Sequence, residues 1–325
     1  MREIMRREVM NKENLKIVFF GTPEFAVASL DRLVTEGYDI KAVVTMPDKT
    51  AGRGHKLIQS DVKKYALEHG LEVLQPEKLR SEEFLSRLRD IDADLFIVIA
   101  FRMLPELVWG MPRLGTFNLH ASVLPKYRGA APINRAIMNG ETETGITTFF
   151  LNHEIDMGDI IDERKTEIAP DENAGSLHDR LMAMGADMVA DTVGKICDGT
   201  LTTRPQPEGE FIPAPKIFRE DCAVRWDSTA AEIHNHIRGL SPYPAAFSTL
   251  EDEAGRTFDV KILTSAVPDD TPKGLAPGET ATIGRRLFAG TADGAVEILE
   301  LQPSGKKRMD TAAFLLGYRP VKFIM

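Results

Sequence analysis

Asn118-Leu119-His120 ends a short apolar stretch, and Asp156 follows within Ile155-Asp156-Met157-Gly158-Asp159. An amide, an imidazole and a carboxylate suit transfer of an acyl group to an amine. The first two can donate to a developing oxyanion, and the carboxylate can help remove the proton that the amine sheds. Asn118 and His120 are two residues apart, so on an extended strand their side chains leave the same face. The Ser122-Val123-Leu124-Pro125 tail ends such a strand, because proline cannot donate to an inner ladder. Taken alone, Asn-x-His reads more readily as a capped turn beside a hydrogen-bonded histidine. An aspartate next to a glycine is likewise more often a turn former than a catalyst.

The elements that must position these groups follow from apolar periodicity. Strand-like runs cover residues 15–20, 40–45, 94–100 and 115–120. Between and beyond them, residues 24–34, 60–69, 81–89, 105–109 and 130–139 carry helical spacing. A strand–helix–strand opening of this kind favours an open, mainly parallel, Rossmann-like α/β sheet with right-handed crossovers. Residues 145–151 and 160–168 read as a hairpin-like pair around Asp156, and 176–197 as a long amphipathic helix. Gly21-Thr22-Pro23 is no dinucleotide fingerprint, since the second and third glycines are missing.

Residues 199–216 gather prolines and glycines and mark a connection. Beyond it come a helix at 228–238 and short strands at 246–250, 258–263, 281–283, 286–289 and 295–301, the pattern of a small OB-like β-barrel. The expected division is therefore a charged extension at 1–14, a catalytic domain at 15–198, the connection, and a C-terminal domain at 217–325.

With 325 residues, 43% hydrophobic and 27% charged, the chain has the composition of a two-domain globular protein. No apolar run approaches the ~18 residues that span a bilayer. Cys197 and Cys222 have neither metal-ligand spacing nor a disulfide framework, which points to packed thiols in a reducing, cytoplasmic compartment. A net charge of −9 excludes general adhesion to nucleic acid but leaves room for a local basic footprint. Three places offer one. Lys49, Arg53 and Lys56 lie in a glycine-containing polar loop after the second strand. Arg285-Arg286 and Lys306-Lys307-Arg308 lie in the C-terminal third. Each reads equally as solvated surface charge.

Together, Asn118, His120 and Asp156, with the carboxylate thirty-six residues after the histidine, resemble the signature of the folate-dependent formyltransferase family. The segments 51–57, 120–132 and 226–244 extend the likeness, which covers roughly residues 15–320. The resemblance implies that 10-formyltetrahydrofolate is the formyl donor, with no metal. It also implies that the backbone around 99–104 and the Ser122–Pro125 segment line the folate site. The basic loop and the second domain are similar to those of members whose acceptor is initiator methionyl-tRNA, with Lys49, Arg53 and Lys56 as tRNA contacts and a monomer as the acting unit. A small amine, such as an amino-sugar nucleotide or a purine precursor, is the alternative acceptor. A non-catalytic RNA- or folate-binding protein is the alternative class. Three residues depart from the family pattern: Ala121 and Arg102 where glycine is common, and His153 at an acidic or apolar position.

Overall fold

Lys16–Gly21 (β1) is apolar at nearly every position and is buried along its length, as a central parallel strand must be. The structure, a computed structural model, describes residues 10–51, 56–209 and 211–324. Its contacts divide into two units that interleave along the chain. The first comprises residues 1–128, 145–165 and 179–213, and the second 129–144, 166–178 and 214–325. By contacts, 129–144 and 166–178 cluster with the C-terminal residues, beside the linear division expected at 198/199.

In the first unit, β1 leads through Pro23 into Glu24–Thr35 (α1) and on to Asp39–Val44 (β2). Lys49–Ala51 (β3) and Lys56–Ile58 (β4) form an antiparallel hairpin where the sequence suggested an open polar loop. Asp61–Glu68 (α2) follows, its first turn capped by the Ser60 hydroxyl accepting from the Lys63 N–H at 3.1 Å. Val73–Leu74 (β5), Glu82–Ile91 (α3), Leu95–Ile99 (β6), Glu106–Trp109 (α4) and Thr116–His120 (β7) complete the parallel part. The chain then passes through Arg128–Gly129 (β8) and Pro132–Met138 (α5), the latter in the second unit, and on to Glu143–Phe150 (β9), Ile160–Glu167 (β10) and Ala174–Cys197 (α6). The seven-stranded sheet runs β10-β9-β7-β6-β1-β2-β5. It is parallel from β5 to β7, and β9 then adds antiparallel to β7. On one face α3 buries Phe84, Leu85, Leu88 and Ile91, spaced as a helical stripe, against Phe20, Phe96 and Val98.

Residues 10–14 are tied back to the fold. The Met10 N–H donates to the Cys197 carbonyl at 2.8 Å, and Lys12 Nζ donates to the Glu36 carbonyl at 2.7 Å.

The second unit adds Pro213–Ala214 (β11), Ala230–Leu240 (α7) and strands Ala246–Asp252 (β12), Thr257–Ala266 (β13), Thr280–Ile283 (β14), Arg286–Gly290 (β15) and Ala295–Pro303 (β16). Met309–Asp310 (β17), Thr311–Gly317 (α8) and Pro320–Ile324 (β18) end the described chain. The antiparallel order β14-β15-β16-β13-β12-β18 is nearly closed by a bridge between Glu279 and Lys322. At that seam a Cβ on Gly278 would stand 2.4 Å from the Phe323 carbonyl oxygen, so only glycine fits. Trp226 fills the core beneath, stacked on Phe323 at 4.7 Å and donating from its indole N–H to Ser248 at 3.0 Å. Among the described residues no helix is long and apolar enough to cross a membrane.

Candidate active site

β7 delivers Asn118 and His120 to the carboxyl end of the parallel strands, where open α/β sheets place their ligands. Asn118 pairs in register with Val98 on one side and Phe149 on the other, and His120 lies opposite Thr147. The period of two puts both side chains on one face. Asn118 is half-buried, and its side-chain amide makes no hydrogen bond among the described residues. His120 is buried, and its Nε2 lies 2.8 Å from the Tyr127 carbonyl oxygen. A carbonyl only accepts, so Nε2 carries the hydrogen of that bond and Nδ1 is the nitrogen left for the site. Nδ1 faces Asp156 Oδ2 at 3.9 Å. That gap is too wide for a direct hydrogen bond, yet one atom between the two can reach both.

Asp156 reaches this position through backbone geometry. It takes the left-handed conformation, with φ 54°, a region aspartate tolerates better than most residues. Gly158 serves by close approach, since a Cβ there would fall 1.6 Å from the Phe150 carbonyl oxygen. The turn is then fastened from a distance. Gln206 Nε2 donates to the Asp156 carbonyl at 2.8 Å and to the Gly158 carbonyl at 3.0 Å. Its Oε1 accepts from the Arg128 guanidinium, with Nε at 3.2 Å. Gln206 lies in the Pro- and Gly-rich stretch read from sequence as a connection, and no local pattern marks it.

Thr147 is a second such residue. Its hydroxyl donates to the Ser122 carbonyl at 2.7 Å and accepts from the Leu124 N–H at 3.2 Å, which pins the turn after β7. Within Ser122–Pro125, Ser122 is fully buried and bonds the Lys126 carbonyl at 2.7 Å, while Leu124 packs on Phe149 and Ile160. Only Val123 and Pro125 remain partly open, so the segment divides into anchors and lining.

The loops beside these groups leave apolar side chains uncovered: Met103 is 72% exposed and Ile155 62%. Arg102, the departure nearest this region, turns back on the chain. It donates to the Pro76 carbonyl and, at 2.9 Å, to the Glu77 carbonyl. Burial pulls its pKa below the ordinary guanidinium value. His153 stays at the surface, 3.4 Å from Glu106 and edge-on to Trp109.

The basic candidates fare unevenly. Lys49 is exposed at the base of the β3–β4 hairpin. Arg53 and the Lys56 side chain lie outside the described residues. In the second unit, Arg286 is held by Asp270 and Glu297, and Arg308 by Glu300, so both charges are already neutralised. Cys197 and Cys222 are buried free thiols whose pKa burial pushes up. No cluster of three metal-ligating side chains occurs among the described residues.

Residues 15–193 match the formyl transferase family, and residues 216–319 match the formyl transferase C-terminal domain. The chain is 54% identical over 316 residues to a methionyl-tRNA formyltransferase of Bacteroides fragilis, covering 95% of this chain and 97% of that protein. It is 51% identical over 315 residues to a protein of the same name from Bacteroides thetaiotaomicron, covering 95% and 98%. Among solved structures it is similar to WlaRD, a sugar 3N-formyltransferase in the presence of dTDP and 5-N-formyl-THF. That likeness has a TM-score of 0.63 at 19% identity and covers 90% of this chain and 99% of that one. It is also similar to HypX from Aquifex aeolicus in complex with tetrahydrofolic acid. There the TM-score is 0.62 at 18% identity, over 92% of this chain and 46% of that one.

Proposed function

The chain belongs to the formyltransferase family, and from that premise we propose that it transfers the formyl group of 10-formyltetrahydrofolate to the α-amino group of initiator methionyl-tRNA. The observation that carries this reading is identity above 50%, over nearly the whole of both chains, to proteins named for that acceptor. The amino-sugar alternative has only fold likeness at 19% identity in its favour.

The site residues fit a folate-borne formyl donor. Uncovered apolar side chains at Met103 and Ile155 suit a flat ring system, and Asn118 offers an amide with no partner among the described residues. The bound folate presents a formyl carbon that an amine can attack. Asn118 donates to the formyl oxygen as charge develops there, and His120 acts through Nδ1 while the Tyr127 carbonyl fixes its ring. Asp156, 3.9 Å from Nδ1, lies where one bridging nitrogen or water can contact both groups. From that position it receives the proton that the amine sheds. As the tetrahedral intermediate collapses, the bond between the formyl carbon and the folate nitrogen breaks, that nitrogen taking up a proton from the site to leave as tetrahydrofolate. Val123, Pro125 and the backbone at 99–104 border the folate. Lys49, Arg53 and Lys56 contact the tRNA, and the enzyme works as a monomer in the cytoplasm.

The test is formylation by the purified protein with 10-formyltetrahydrofolate and either initiator methionyl-tRNA or a nucleotide-linked amino sugar. Transfer to the tRNA, competed by uncharged tRNA, is the expected result. Transfer to the sugar alone would overturn the reading.

A further inference from the structure

The segment 237–244, part of the sequence likeness, does two different jobs. Arg238 is buried, donating to the Glu172 carbonyl at 2.8 Å and to Asn235 Oδ1 at 2.9 Å, so it braces the unit from inside. Tyr243 is instead 81% exposed and lines a cavity of about 560 Å³. Phe218, Arg219, Phe247, Asp259 and Lys261 share that lining, all within the second unit. Phe218 is 57% exposed, so the cavity offers two large aromatic surfaces to solvent. Its volume lies within the usual range of ligand pockets.

Its charge is the second observation. Lys216 Nζ sits 5.5 Å from the Phe218 ring centroid, and the Arg219 guanidinium 5.3 Å from that of Phe247. Cations resting on ring faces are held near the cavity. Lys216 and Lys261 make no ion pair among the described residues, whereas Arg219 forms a loose ion pair with Asp259 at 3.9 Å. Lys306 and Lys307 follow directly on the Pro303–Gly305 turn that borders the cavity. In a chain of net charge −9, where Arg286 and Arg308 are consumed by carboxylates, unpaired positive charge collects beside exposed rings.

We propose that this cavity is a subsite for an unpaired nucleotide of an RNA, a step that rests on the tRNA reading above. A base stacks on Tyr243 and Phe218, and Lys216, Arg219 and Lys261 meet the flanking phosphates. Stacking platforms interleaved with cations are the general solution for single-stranded nucleic acid. An acidic peptide would use the cations but leave the rings without a flat partner. A free nucleotide would leave much of the lysine spread unused.

The experiment is fluorescence anisotropy of labelled, uncharged initiator tRNA with the full chain, which reads binding without turnover. Tyr243→Ala and Phe218→Ala should each weaken binding roughly tenfold, the effect of losing one stacked base. Tyr243→Phe keeps the ring and should stay within about twofold of the wild type. Lys216→Ala and Lys261→Ala should each flatten the plot of log Kd against log salt by about 0.7. Thermal midpoints check that the variants fold, and all four positions are surface-accessible. Ring variants that fold and bind tRNA like the wild type would overturn the proposal. Formylation by the wild type reports separately on the parent reading: activity on methionyl-tRNA with indifferent ring variants rejects the subsite alone.

Discussion

The β7 site and the aromatic–cationic face of the C-terminal unit are built on opposite principles. At β7 the candidate groups His120 and Asp156 are fixed by backbone. A carbonyl holds the His120 ring, a left-handed turn aims Asp156, and Gln206 fastens that turn through two further carbonyls. On the C-terminal face the side chains are long, exposed and steadied mainly by neighbouring rings. Chemistry requires a geometry good to a fraction of an ångström, whereas recognition of a polyanion tolerates spread and draws on many weak contacts. Substitutions should therefore act steeply on turnover in the first region and shallowly on affinity in the second.

The steepest break is expected at His120 and Asp156. His120→Ala or Asp156→Asn should lower kcat by about 10³ or more, since general acid–base groups contribute typically 10²–10⁴. Binding of tetrahydrofolate, followed by fluorescence titration, should survive in both. Near-wild-type turnover in either variant would remove the site from β7. Asn118→Ala should cost about 10²–10³ in kcat, the usual loss for one oxyanion donor. Because Asn118 is only half-buried and its amide has no partner among the described residues, its removal should leave the thermal midpoint nearly unchanged.

Gln206 sharpens the comparison. Truncation to alanine leaves two carbonyls and the Arg128 guanidinium without their partner, and the Asp156 turn relaxes. A displacement of about 1 Å at a reacting group can cost up to 10²-fold, so Gln206→Ala should reduce kcat roughly ten- to a hundredfold. KM for methionyl-tRNA should change little. Gln206→Glu separates the contacts: it keeps an acceptor for Arg128 but loses both N–H donors. If those donors position Asp156, the glutamate variant should fail as the alanine does. Retained kcat with glutamate would transfer the role to Arg128.

These expectations also show what could be read from the chain alone. Asn118 and His120 were legible because a strand's period of two is local, and Asp156 because its distance from His120 follows the family pattern. The parallel strands announced themselves through continuous apolar runs such as 95–99. Gln206 was hidden because its bonds reach back 48 and 50 residues, and nothing in a Pro/Gly-rich stretch marks such a partner. Thr147 was hidden in the same way, being one more β-branched residue in a buried strand. The β3–β4 hairpin escaped because glycines and lysines read as a loop, while pairing of backbone groups leaves little trace in side-chain type. Arg102 shows the reverse error. It stands out as a bulky charge in place of a small residue, yet its two terminal nitrogens bond the Pro76 and Glu77 carbonyls, and only its buried Nε lacks a partner among the described residues.

The shallowest effect belongs to the β3–β4 hairpin, and it tests whether recognition is dispersed at all. The hairpin pairs Lys49 with Ile58 and presents Lys49 to solvent at its base, with Arg53 carried farther along the chain. An exposed charge contact contributes about 0.2–1 kcal/mol, so Lys49→Ala and Arg53→Ala should each raise KM for methionyl-tRNA by only about two- to fivefold. If each lysine or arginine neutralises one duplex phosphate, its loss should reduce the salt slope of tRNA affinity by about 0.9. The double variant should add both effects, because residues that act through separate phosphates do not share partners. A loss of turnover comparable to that of His120→Ala would mean that the hairpin organises the reacting end rather than holding the RNA. The contrast between a rigid chemical centre and a diffuse recognition surface would then no longer describe this enzyme.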